Sequence, residues 1–392
     1  MYYLAEEEQK AAMEVIKSGE LFRYWSSDSK VAAFEAAVAE KFGVKYVLAV
    51  NGGTSSLITA LFAAGVGPGD EVMVPAYTWI ATPASVVVAN AVPIIAEVDN
   101  SLTLDPNDVE AKITPRTKAI MPVHMIGAPS DMQTIMALAR KYNLLVIEDC
   151  AQAIGGAYGG KRLGTHGQIG CFSLQLSKII STGEGGIVVT DDEELYDRAR
   201  MCHDGGGLWG RSKYPNALFA GMNFRMDEVR GAIAGVQLTR LDGFIEKMRE
   251  QKSQLKEALR DVNGIEFRKI NDVGDTATCM VFYLPTAEIA VKFAEAMGRH
   301  GVGAGTMYAP GRGDWHIYCY WDYIMDKKTY HPSDWPYSHP AYEGKVEYSR
   351  DMCPKTLDYL GRAINIGISP FWENANIEKI ANAIKAAAKE VF

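Results

Sequence analysis

From residue 5 to about residue 245 the chain alternates short apolar runs with amphipathic stretches, and that alternation is what most restricts its fold. The apolar runs are Tyr46 to Val50, Glu71 to Pro75, Val92 to Glu97, Ala119 to Val123 and Leu144 to Glu148. They are rich in β-branched residues and too short for core helices, which is the texture of strands covered on both faces. Glu7 to Ser18, Lys30 to Phe42 and Thr54 to Ala64 repeat apolar residues at helical spacing. An α/β architecture follows: a mostly parallel, mixed sheet flanked by helices.

The length of 392 residues exceeds what one core usually serves, since single cores rarely grow past roughly 250–300 residues. Met226 to Arg249 predicts a long helix leading out of a large domain over residues 1–248. Residues 249–392 then read as a smaller α+β domain, with helices at Gln251 to Val262, Ala287 to His300 and Ile377 to Val391. Strand-like pieces lie at Ile265 to Lys269 and Thr278 to Leu284. Within it, residues 305–350 carry Trp315, Trp321, Trp335 and several histidines with little regular period, the mark of a binding loop or an interface.

A formal net charge of -8 argues against a nucleic-acid partner, which needs a basic footprint. No apolar run reaches the roughly 18–20 residues of a membrane span, and the acidic start Met1-Tyr-Tyr-Leu-Ala-Glu-Glu-Glu is unlike a secretory leader. The six cysteines form no CxxC pair. Reduced thiols in a cytoplasmic protein are expected, and no spacing supports a metal site.

Four local signals carry chemistry. Asn51-Gly-Gly53-Thr54-Ser55-Ser56 joins a strand to a helix, so its amides and the hydroxyls of Thr54 and Ser55 face an anion or simply cap the helix. Glu148-Asp149-Cys-Ala-Gln152 follows a strand at the sheet edge where α/β folds bind ligands, and Asp149 there is either an N-cap or the partner of a pyridine nitrogen. Tyr77-Thr78-Trp79 places aromatics after another strand, for core packing or for stacking on a heterocycle. Lys178 sits between the strand Ile169 to Leu174 and the glycine-rich turn Gly183-Glu-Gly-Gly186 that leads into Ile187 to Thr190. A desolvated lysine favours the neutral amine that an imine needs at its start. Together the four meet the needs of pyridoxal 5'-phosphate: a phosphate cradle, a stacking ring, an acid and an imine-forming lysine.

The ordered set Gly53-Thr54-Ser55, Glu148-Asp149-Cys-Ala-Gln152, Phe172-Ser173 with Lys178, Gly183-Glu-Gly-Gly186 and Asn223-Phe-Arg225-Met resembles the StrS/DegT family of fold-type I sugar aminotransferases. The resemblance runs from about residue 5 to about residue 310. It implies that Lys178 bonds covalently to pyridoxal phosphate and shuttles a proton, alternating with the pyridoxamine form of the cofactor. It implies further that Asp149 pairs with the pyridine nitrogen, that Gln152 bonds the phenolic oxygen and that Trp79 stacks on the ring. Gly53, Thr54, Ser55 and Ser173 hold the phosphate, and Asn223 reaches the phosphate of a neighbouring subunit, which implies a homodimer with shared sites. Some relatives carry histidine at the lysine position and dehydrate sugars instead; Lys178 points to transamination.

By the same resemblance the donor is L-glutamate and the acceptor a keto sugar. The ending Asn365-Ile-Gly-Ile-Ser-Pro370-Phe-Trp372 departs from the family's usual Leu-Pro pair and histidine, and the tail is most similar to a branch that aminates a keto-octulosonate sugar acid. Arg23, Tyr24, Arg225, Tyr308, Arg312 and His316 are then the candidates for substrate contact, the arginines for a carboxylate. Surface or interface ion pairs are the alternative for those arginines, and His124 reads as structural. A nucleotide-linked keto sugar or a cyclitol ketone remains open as acceptor, and a non-enzymatic sensor or scaffold of the same fold remains as a different class.

Overall fold

The computed structural model of the protein describes residues 4–25, 27–207, 214 and 219–392. The first three residues of the acidic start therefore lie outside the described residues. Seven strands make the main sheet: β1 (Tyr46–Val50), β2 (Glu71–Pro75), β3 (Val92–Ala96), β4 (Thr117–Ile120), β5 (Leu145–Asp149), and, after a short hairpin of β6 (Ala157–Tyr158) and β7 (Lys161–Arg162), β8 (Ile169–Ser173) and β9 (Gly186–Thr190). Their order is β1-β9-β8-β5-β4-β2-β3. Strand β9 runs antiparallel to both neighbours, and every other pairing is parallel. The carboxyl ends of β1, β2, β4, β5 and β8 thus share one edge of the sheet, where loop residues converge.

The strand residues are buried almost without exception, as their lack of alternation predicts. Helix Lys30–Phe42 shows the complementary pattern: Val31, Phe34, Val38 and Phe42 form its buried stripe. Ser29 caps it by accepting from the Ala32 amide at 3.1 Å, and Gly43 ends it in the left-handed region at φ 69°.

Two readings of secondary structure around the second unit differ in detail from the structure. A single helix, Glu228–Ala258, runs straight through the expected boundary at 248/249 and absorbs most of the helix read at Gln251 to Val262. No Gly or Pro interrupts residues 245–255, and Leu238, Leu241, Ile245, Met248 and Leu255 keep one buried stripe across the join. The same hydrophobic core takes in Phe172 of the main sheet and Met280, Phe282, Phe293 and Ile384 of the second unit. That unit is built on β10 (Glu266–Phe267), β11 (Cys279–Tyr283) and β12 (Ala363–Gly367), all antiparallel.

The stretch 305–350 also divides. Its first part reaches the ligand-binding edge, where Tyr77 bridges Ile317 and the Thr78 amide donates to His316 O at 2.9 Å. Its later part crosses to the opposite end of the strands: Tyr342 donates to Glu71 Oε1 at 3.0 Å and Tyr348 to Pro93 O at 2.7 Å. Glu71 opens β2 and Pro93 lies one residue into β3, so these tyrosines cover the amino edge, away from the cleft.

Candidate active site

A cavity of about 450 Å³ opens at the carboxyl edge of the sheet. Gly53 and Thr54 enter it after β1, Thr78, Trp79 and Thr82 after β2, Val123 after β4, Gln152 after β5, and Ser173 and Lys178 at and beyond β8. Glu184, just before β9, and His316 complete the wall. The alternation of a strand explains how neighbouring acids serve different ends. Glu148 turns away from the cavity and accepts from the amides of Gly164, His166 and Gly167 at 2.7–2.8 Å and from His124 Nε2 at 3.1 Å. Asp149 lines the cavity.

Asp149 is buried at the floor. Its Oδ1 accepts from the Ala151 amide at 3.0 Å and its Oδ2 from Thr82 Oγ1 at 2.8 Å. Burial pushes its carboxyl above the usual range, against those hydrogen bonds and the nearby Lys178. Lys178 is shifted the other way: burial lowers its amine, while Asp149 and Glu184 favour its charged form. Its loop is pinned at both ends, since the Leu174 amide donates to Gly185 O and the Leu176 amide to Gly183 O, with Ile179 and Ile180 buried beneath.

The cradle is defined by close approach. A Cβ on Gly53 would stand 2.7 Å from Ser173 Cβ and 2.8 Å from its Oγ, so only glycine lets the helix start approach that hydroxyl. The helix Gly53–Ala63 begins here, and its first amides have no intrahelical acceptor. Gln152 lines the wall with its amide oriented, because its Oε1 accepts from the Ile126 amide at 3.0 Å and its NH₂ remains to donate. Trp79, 42% exposed, lies beside the His316 ring at 4.9 Å. An anion cradle, an oriented donor, a buried acid, a planar ring and a lysine of lowered pKa fit pyridoxal phosphate.

The structure brings Gly53, Thr54, Trp79, Asp149, Gln152, Ser173, Lys178 and His316 together and sets other candidates apart. Ser55 spends its hydroxyl proton on Asn51 Oδ1 at 2.7 Å and lies outside the cavity wall. Arg23 is 8% exposed, holds both oxygens of Glu35 at 2.8 Å and donates to Ala49 O at 3.1 Å. Tyr24 meets His203 Nε2 at 3.3 Å, and Arg225 pairs with the buried Asp204. Tyr308 packs by Tyr320 at 6.3 Å. None of these four lines the cavity. Asn223 is exposed beside Asn51, which donates to its carbonyl at 3.4 Å. Arg312 lines a side cavity of about 290 Å³ with Tyr77, Asp314, His316 and Asn365, and His316 lines the main one as well. Its side chain makes no hydrogen bond or ion pair among the described residues, and His316 Nδ1 lies 2.8 Å from Asp314 Oδ1.

Sequence reasoning misses Thr82 and Glu184 as wall residues. Thr82 stands four residues beyond Thr78, and that spacing is the one signal that points to it. A grouping of His124, Glu148 and Cys150, whose ligand-type atoms lie within 4.8 Å of one another, is missed as well. The Ser130 amide donates to His124 Nδ1 at 3.0 Å, so Nε2 carries the proton that faces Glu148. The lone pairs of that histidine and acid are therefore taken up by hydrogen bonds.

The fold and this site define a pyridoxal phosphate-dependent aminotransferase of fold type I. Residues 3–336 match the DegT/DnrJ/EryC1/StrS aminotransferase family, and the chain belongs to that family. It is 30% identical over 395 residues to the spore coat polysaccharide biosynthesis protein SpsC of Bacillus subtilis, covering 98% of this chain and 95% of that one. It is 45% identical over 217 residues to a GDP-perosamine synthase of Caulobacter vibrioides, and spans only 57% of that relative's length and 54% of its own. The crystal structure of 3-amino-5-hydroxybenzoic acid synthase superposes with a TM-score of 0.83 at 26% identity, over 100% of this chain and 98% of the other. Among the described residues, no helix is long and apolar enough to cross a membrane.

Proposed function

We propose that this protein moves the amino group of L-glutamate to a keto sugar, and that the acceptor is a sugar acid of the keto-octulosonate kind. The observation that carries the aminotransferase reading is that Lys178 and Asp149 share one cavity wall with the Gly53–Ser173 cradle. Pyridoxal phosphate supplies the electron sink when bound, and the chain's own residues do the rest. Gly53, Thr54 and Ser173 hold the phosphate, Trp79 stacks on the ring, and Gln152 donates to the phenolic oxygen. Asp149 keeps a proton on the pyridine nitrogen. Lys178, held towards its neutral form by burial, takes a proton from the donor's α-carbon and later returns one to the acceptor's carbonyl carbon.

Arg312 supports an acidic acceptor, being a guanidinium without a hydrogen-bond or ion-pair partner among the described residues, in a cavity that shares His316 with the site. The perosamine synthase relative, by its name, supports a second reading in which the acceptor is a nucleotide-linked keto sugar. Asn223, exposed and outside the cavity wall, is available to a neighbouring subunit, and a homodimer with shared sites is part of the proposal. So is a cytoplasmic location, which the six free thiols support.

The test is a half-reaction. The loaded enzyme is converted with L-glutamate, the donor is removed, and ketones are added singly while the visible absorption of the Lys178-bound cofactor is followed. Return of the band with a keto-octulosonate alone supports the sugar-acid reading; return with a nucleotide sugar alone replaces it by the second. Failure of glutamate to bleach the band refutes the donor assignment.

A further inference from the structure

Two threonines line the cavity beside Asp149. Thr82 Oγ1 lies 2.8 Å from Asp149 Oδ2, and Thr78 Oγ1 lies 2.8 Å from Thr82 Oγ1. Each residue is 1% exposed. A hydroxyl has one proton to give, and an ionised carboxylate only accepts. Thr82 therefore donates to Asp149, and Thr78 is left as the donor to Thr82. The chain has a direction, from Thr78 through Thr82 to the acid.

The backbone holds this chain in register with the rest of the site. Thr82 lies in the first turn of helix Ala81–Val88, and its amide donates to Trp79 O at 3.0 Å. The Thr78 amide donates to His316 O at 2.9 Å. One turn thus carries both hydroxyls, the stacking ring and the anchor of the His316 loop. Other titratable groups facing Asp149 are Lys178 from beyond β8, His124 from beyond β4, and the thiols of Cys150 and Cys171. The thiols are no help to a carboxylate, and the Nε2 proton of His124 is directed to Glu148. Of the side-chain hydroxyls among the described residues, Thr82 alone bonds Asp149, while the Ala151 amide serves its other oxygen.

We propose that Thr82, backed by Thr78, is a positioning residue whose hydroxyl fixes Oδ2 of the buried Asp149 and keeps the acid ionised, so that it can hold the proton on the pyridine nitrogen. A charge-assisted hydrogen bond in such a site is stronger than a neutral one, and its loss shifts the shared proton towards the acid.

The inference rests on Asp149 as the pyridine partner, and the experiment separates the two. Holoenzyme carrying ring-labelled pyridoxal phosphate is followed by nitrogen NMR as wild type, Thr82→Val, Thr82→Ser and Thr78→Val. Wild type with an unprotonated ring nitrogen overturns both readings. If the wild-type nitrogen is protonated, Thr82→Val is expected to lose part of that signal, with kcat down about tenfold and KM for L-glutamate nearly unchanged. Thr82→Ser restores the signal, and Thr78→Val shows a smaller shift in the same direction. A Thr82→Val enzyme that melts lower but keeps the wild-type nitrogen signal overturns the inference, because its role is then packing alone. Should Thr82→Val not fold, Thr78→Val decides: an unchanged nitrogen signal in that variant also overturns it.

Discussion

The backbone amide of Ile126 donates to the side-chain carbonyl of Gln152 at 3.0 Å, and this one bond decides what Gln152 offers the cavity. Ile126 is itself held at φ 46°, and its carbonyl accepts from Thr278 Oγ1 at 3.0 Å, so the donor is fixed from both sides. Gln152→Glu keeps the acceptor for Ile126 but has no N–H to give. The dissociation constant for pyridoxal phosphate is expected to rise about tenfold, with melting temperature nearly unchanged. Gln152→Leu also strands the Ile126 amide and is expected to cost roughly 1–3 kcal/mol of stability besides. Cofactor titration and thermal unfolding of both variants check this, and equal melting of the two would count against the bond.

Gly53→Ala drives a methyl into Ser173. With 2.7 Å to Cβ and 2.8 Å to Oγ, the helix start or the serine must shift. Overpacking of this kind costs about 1–3 kcal/mol, and the phosphate cradle opens with it. The expected outcome is weakened cofactor binding with a lower melting temperature. Adding Ser173→Gly removes the clash and is expected to restore the melting temperature but not the cofactor affinity; failure to restore stability would show that the contact is not the cause.

The pH behaviour of Lys178 has a definite sign. Burial lowers its amine below the ordinary 10.5, whereas in the unfolded chain the amine titrates at its ordinary value. Between the two values the unfolded state binds the extra proton, so stability of the cofactor-free protein rises with pH through that window, and the burial cost is fully present below it. Lys178→Met removes the cost. The cofactor-free variant is expected to melt above wild type at neutral pH, with the gap closing as pH approaches 10.5. Transamination by the same variant is expected to fall roughly 10²–10⁴-fold. A gap that widens with pH would reverse the assignment.

Arg23 and Arg312 should part company. Arg23→Met leaves Glu35 nearly buried without its ion-pair partner, and breaking such a pair costs about 3–5 kcal/mol. Its folded fraction is expected to keep the wild-type KM for the acceptor. Arg312→Gln is expected to melt like wild type while KM for an acidic acceptor rises roughly tenfold or more. Unfolding curves and steady-state kinetics on the two variants check the contrast, and an acceptor KM raised by Arg23→Met instead would restore its candidacy.

The sheet and most of the residues that meet in the cavity are legible in the sequence because each rests on local chain pattern. Tyr46–Val50 and Glu71–Pro75 are compact runs dominated by apolar residues, and the strands begin and end where those runs do. Lys178, Asp149 and Gln152 follow strand ends, so topology alone brings them to one edge. The arginines are not legible in this way. A guanidinium suits a carboxylate on a ligand and a carboxylate on the protein equally well, and only the fold places Glu35 beside Arg23. The long helix is hidden because a change in composition near residue 250 resembles a boundary, while the stripe from Leu238 to Leu255 runs on beneath it.

That helix has a mechanical consequence. At 31 residues it is a strut of about 46 Å. Near its start Gln237 ties it to Glu8 of the first helix at 2.7 Å, and further along Leu255 shares a core with Phe282 and Ile384. Held along its length in this way, the helix joins the main sheet and the second unit in one frame. The segment ahead of Ile317 reaches that frame by another route, the hydrogen bond from the Thr78 amide to His316 O at 2.9 Å. Ile179 and Ile180, next to Lys178, belong to that same core, so the lysine's loop rests on the strut.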